Sequence, residues 1–261
     1  MLAYDLSTVV GDLTPVTTLQ QQLQRAGVQV EIHIGAVSPI TGEGARVCGS
    51  DAMAGRKAWH IYCPAYTKAH QVYHELLHVR WYDVDHAQWL HGTPITDNGI
   101  RAGLMLLNND LDHAHIVREE IAAYPEAAAY WASDFALLFA KRPQGDTPGD
   151  RQHRRLTLLR GWMTLPVALP EAGITHQFAD ALQAEGWMAQ ARRMSARVQA
   201  AGTDKAAGIA ALREAMEADV PAAQFCAFSL RLPTAPVAPV AIPANVPGGT
   251  IASAITESPS P

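Results

Sequence analysis

Cysteine is scarce in this chain: Cys48, Cys63 and Cys226 are all there are in 261 residues, and none of them forms a C-x-x-C pair. That excludes a disulfide framework, and the odd number fits free, buried thiols in a reducing compartment. Charge is sparse too, at 17% Asp, Glu, Lys and Arg with a net charge of −5, which gives no electrostatic basis for nucleic acid or an anionic membrane as partner. No stretch of 18 consecutive apolar residues occurs, and Met1–Asp5 lack the basic start and apolar run of a secretory signal. The expectation is a soluble, cytoplasmic protein without a membrane partner. What the chain does have is 48% hydrophobic residues, enough for a substantial core.

Periodicity organises the first third. Leu13, Val16, Leu19 and Leu23 recur at helical spacing, and Gly27 stands where helices end. Val28 to Ile34 then alternates in the manner of a half-buried strand, which puts His33 on its polar side. A turn is expected at residues 38–44, a short strand near Ala45 to Cys48, and a further strand over Lys57 to Cys63, with His60 and Tyr62 sharing one face.

Next comes Tyr73-His74-Glu75-Leu76-Leu77-His78, an H-E-x-x-H sequence in a run that reads as helix. Residues four apart share a helix face, so His74 and His78 can present their imidazoles to one point. Zinc is bound by neutral imidazole nitrogen, and a carboxylate one residue beyond the first histidine misses the ion yet reaches a water beside it. Glu75 is that carboxylate, the general base of an amide hydrolysis. Ala69, Val72, Leu76 and Val79 form the apolar stripe of this helix, with the three polar residues to its side. His70 is read as a neighbour of the site or a surface residue. The helix is expected to end after Arg80, with Asp85 capping a short helix through Leu90.

From about Ile100 to Tyr124 a second helix carries Leu104, Leu107, Leu111, Ala114, Val117 and Ile121 as its core stripe. Beside them run Asn108, Asp112, His115 and Glu119, a stripe of metal-ligand chemistry where a solvated face would more usually pair Lys with Glu. A catalytic zinc takes three protein ligands and leaves one position open. The register after His78 has Trp81 and Val84 where an H-E-x-x-H-x-x-G-x-x-H pattern needs glycine and histidine, so the third ligand is sought on this later helix.

Over residues 12–124 the chain resembles the gluzincin type of zincin metallopeptidase, on the strength of His74-Glu75-x-x-His78 and the Asn-rich acidic helix. The resemblance implies zinc as cofactor, a protein or peptide as substrate, Glu75 as catalytic base, and His74, His78 and Asp112 as metal ligands. Asp112 stands where the family has glutamate, and His115 and Glu119 are its substitutes. His86, His91, Tyr62 and Tyr124 are candidate donors to the oxyanion.

The fold class expected is α+β: a small, mostly antiparallel sheet with the H-E-x-x-H helix, a mainly helical second half, and a disordered Pro/Ala-rich tail. The expected division is a zincin-like domain at residues 1–142, a helical subdomain at 150–230 and the tail at 231–261. Helices are placed at Glu126 to Ala140, Arg151 to Leu165, Ile174 to Ala200 and Asp204 to Ala218. Arg151, Arg154, Arg155 and Arg160 read as a solvated helix face. The competing function is a zinc-stabilised protein-interaction module with no enzymatic activity, and a third is a metal hydrolase acting on a non-peptide bond.

Overall fold

The structure, a computed structural model, describes residues 6–35, 46–48, 58–90 and 98–217. The expected turn at 38–44, His91, Cys226 and the Pro/Ala-rich tail lie outside these residues. The chain divides into two compact units between His86 and Ala87, so the acidic helix grouped above with the motif helix belongs to the second unit.

The first unit opens with α1 (Thr14–Arg25). Asp12 Oδ1 accepts the Thr14 N–H at 2.9 Å, and a proline in the first turn has its ring where no helical N–H is needed. Val16, Leu19 and Leu23 are buried, each contributing about 1.5–3 kcal/mol by leaving water. Gly27, at φ +82°, turns the chain into β1 (Gln29–Ile34). β2 (Arg46–Cys48) and β3 (Ala58–Cys63) complete a sheet in the order β1-β3-β2.

The expectation of a mostly antiparallel sheet is corrected here. β1 and β3 pair in parallel over their full six residues, and only the short β2 runs antiparallel to β3. The chain between Ile34 and Ala58 is long enough for a crossover that re-enters in the same direction, whereas β2 and β3 pair as sequential neighbours. β3 is thus the central strand. Val30, Ile32, Trp59, Ile61 and Cys63 form the buried face of the sheet, against which α1 and α2 (Ala69–Asp83) pack.

α2 begins where Lys68 N–H donates to the Gln71 carboxamide oxygen, at 3.1 Å. The preceding chain is pinned by Val10, whose N–H donates to Thr67 O and whose carbonyl accepts from Ala69 N–H, both at 2.9 Å. Gly11 makes this approach possible: its φ is +119°, and a Cβ there would stand 3.3 Å from the Ala69 Cβ. α2 runs through Asp83, past the expected end at Arg80, and residues 85–90 are not helical. Asp85 caps nothing; it accepts from Arg80 Nε at 3.1 Å.

The second unit contains α3 (Asn98–Ala123), α4 (Ala127–Ala140), α5 (Pro148–Ala168), α6 (Gly173–Ala184), α7 (Met188–Ala201) and α8 (Lys205–Ala215). The single helix expected from Ile174 to Ala200 is two, broken at Gly186 with φ +75°. α5 packs against α3, α4, α6 and α7, and at Gly161 the approach of α6 is so close that a Cβ would lie 2.3 Å from the Phe178 ring. Of the four arginines read as a solvated face, Arg151 is exposed, whereas Arg154, Arg155 and Arg160 are structural. Arg154 Nε donates to Glu185 at 2.7 Å, Arg155 bonds Glu217 through both terminal nitrogens at 3.0 and 3.2 Å, and Arg160 NH2 reaches Asp110 at 3.1 Å. Such two-pronged pairs suit the planar guanidinium. None of the helices among the described residues is long and apolar enough to cross a membrane.

Candidate metal centre

In the first unit α2 presents the motif from one flank. Ala69, Val72, Tyr73, Leu76, Leu77 and Val79 are buried, whereas His74 and Glu75 are only half-covered and His78 is 7% exposed. The apolar stripe thus anchors the helix while its neighbouring face keeps access to solvent. His74 and His78 turn their Nε2 atoms toward each other at 3.1 Å, with the rings nearly perpendicular. Two imidazole nitrogens at that separation serve either a shared proton or a shared cation. For bonds of 2.0–2.1 Å, a tetrahedral or right-angled pair of donors stands about 2.9–3.4 Å apart, so the pair fits a zinc ion without moving α2. His70 is not a surface residue: it is 1% exposed within the core side of the helix.

Cys63, at the end of β3, is a buried thiol. Burial, with a smaller contribution from the Glu75 charge, pushes it up to about 12. At neutral pH it remains a thiol. Of the candidate oxyanion donors, Tyr62 stacks on His33 at 4.7 Å, His86 is exposed with φ +57°, and Tyr124 is buried in the second unit.

The polar stripe of α3 has a different character from that expected. Asn108 is fully buried and clamps the backbone of Leu90, accepting its N–H at 3.2 Å and donating to its carbonyl at 3.0 Å. Asp112 is 1% exposed and ion-paired through Oδ1 with Lys205 Nζ at 2.6 Å. His113 meets the Trp131 ring edge-on, and Trp131 Nε1 in turn donates to the buried Glu120 at 2.8 Å. The stripe is polar partly because the second unit uses it to satisfy its own interior.

No family model, characterised protein or solved structure matches the chain.

His115 titrates below its ordinary 6.5, chiefly because burial disfavours its charged form, with Lys205 adding to this and Asp112 opposing it. The unfolded chain then takes up this proton more readily than the folded one, so stability falls as pH drops below about 6.5. His115→Gln is expected to flatten that part of the profile. Urea midpoints between about pH 7.5 and 5 check this; an unchanged slope would exclude His115 as the titrating group.

Sequence reading missed one cluster. Glu31, His33 and His60 bring their donor atoms within 4.8 Å of one another on the open face of the sheet. The only sequence sign of it is a pair of polar residues at period two in each strand; the pairing register of β1 with β3 is what brings them together.

Proposed function

We propose that the chain is a zinc-dependent hydrolase, a metallopeptidase acting on a protein or peptide, in which His74 and His78 hold the ion and Glu75 is the general base. The observation that carries this reading is the 3.1 Å approach of the two Nε2 atoms on the flank of α2 that also leaves Glu75 partly accessible. Zinc held there supplies a Lewis acid and a water of lowered pKa. Glu75 accepts a proton from water and returns it to the leaving amine. Hydrolysis by activated water, with no covalent intermediate, is the chemistry a paired imidazole site with a neighbouring carboxylate supports.

A catalytic zinc calls for a third protein ligand, and the sequence draws it from α3, with Asp112 named first and His115 and Glu119 behind it. Asp112 already neutralises a buried ammonium, so serving a second cation would require giving that partner up.

Elemental analysis of dialysed protein tests the centre. His78→Ala is expected to lose one equivalent of zinc that the wild type retains, with its helical circular dichroism unchanged. Equal zinc in both proteins would end the proposal.

A further inference from the structure

We propose a second divalent-metal site on the open face of the sheet, built by Glu31, His33 and His60 and selective for an ion of the zinc class. It shares no residue with α2 and goes beyond the reading above.

The parallel register places Glu31 directly across from His60 and His33 across from Tyr62. Alternation then sends all four side chains to the face opposite the buried one. There the His33 Nε2 and His60 Nδ1 atoms stand 3.1 Å apart, and Glu31 Oε2 lies 3.4 Å from His60 Nδ1 and 3.8 Å from His33 Nε2. Two of these three separations fall in or at the edge of the range of about 2.9–3.4 Å that a metal at 2.0–2.1 Å from each donor imposes. The third involves the end of a glutamate, which closes a few tenths of an ångström by side-chain rotation alone. Tyr62 stacks on the His33 ring at 4.7 Å and 16°, holding that imidazole in place on the sheet.

The donor set fixes the class of ion. Two imidazoles and a carboxylate suit zinc, cobalt or nickel, whereas magnesium and calcium take oxygen ligands. The three side chains are 22–34% exposed, so an ion can enter from solvent and water can complete its coordination. Because the ligands come from two paired strands that are distant in sequence, a bound ion adds a side-chain link between β1 and β3. Binding is thereby coupled to the stability of the first unit.

The test uses His74→Ala/His78→Ala protein, in which α2 contributes no metal ligand, and titrates it with zinc by calorimetry and with cobalt by visible absorption. One equivalent is expected, with cobalt bands of a nitrogen- and oxygen-ligated ion and a melting midpoint that rises with zinc. Adding His33→Asn and His60→Asn should abolish all three responses, and Glu31→Gln should weaken zinc binding. The His33→Asn/His60→Asn pair is also made in the otherwise native chain, where total zinc should fall by one equivalent, so the result does not hang on how well the α2 variant folds. Metal uptake that is indifferent to His33 and His60 in both backgrounds would overturn the proposal. Loss of zinc by His78→Ala alone bears only on α2.

Discussion

Asp112→Asn is expected to destabilise the second unit by about 3–5 kcal/mol, the range for removing one partner of a buried ion pair. Lys205 is 2% exposed at the start of α8, with its Nζ 2.6 Å from Asp112 Oδ1, 3.3 Å from the Asn108 carbonyl and 5.4 Å from the centre of the Trp89 ring. Burial already pushes the Lys205 ammonium below its ordinary pKa, and Asp112 is the charge that opposes this. Without the carboxylate, Lys205 must either keep an uncompensated charge or give up its proton, and both outcomes cost stability at neutral pH. Replacing both residues together, Asp112→Leu with Lys205→Met, should recover most of the loss, because two apolar side chains need no counter-charge. Urea denaturation of Asp112→Leu, Lys205→Met and the double variant measures the coupling. A single-variant loss below about 1 kcal/mol would mean that the pair is not the buried unit described. The same proteins bear on the third ligand: a metal ligand at Asp112 predicts zinc loss out of proportion to the loss of stability.

What the sequence makes legible here is local. The 3.6-residue spacing of Val16, Leu19 and Leu23, the alternation in Val30, Ile32 and Ile61, and the placement of His74, Glu75 and His78 beside an apolar stripe all depend on neighbours within one element, and each matches the structure. Properties set by distant partners are not readable in this way. Arg154, Arg155 and Arg160 look like a solvated face until Glu185, Glu217 and Asp110 are brought to them. That Asp112 has a buried ammonium beside it is seen only once α8 delivers Lys205. Strand direction belongs with these: β1 and β3 have the same alternating pattern whether they run parallel or antiparallel, so the pattern cannot report which pairing forms or that Glu31, His33 and His60 meet. Gly186 is the intermediate case, a local signal inside a long helical pattern that ends one helix by taking φ +75°.

Glu75→Gln should keep zinc and fold but lose hydrolysis by about 10²–10⁴-fold, the usual worth of a positioned general base. The substitution preserves the shape of the side chain and removes only its capacity to take a proton, while His74 and His78 remain as they were. Cleavage of a defined peptide mixture by zinc-loaded protein, followed by mass spectrometry, gives the activity, and elemental analysis gives the metal. A separate readout checks that the position is still packed as described. The Glu75 charge raises the Cys63 pKa alongside the larger effect of burial, so E75Q should lower the thiol pKa from about 12 without bringing it to that of an exposed cysteine. Retained zinc, a lowered thiol pKa and lost cleavage together would place the base at Glu75, because a purely structural zinc site has no use for its proton transfer. Full activity in E75Q would remove Glu75 as the base, and no cleavage by the zinc-loaded wild type would leave α2 as a metal-binding helix in an interaction protein.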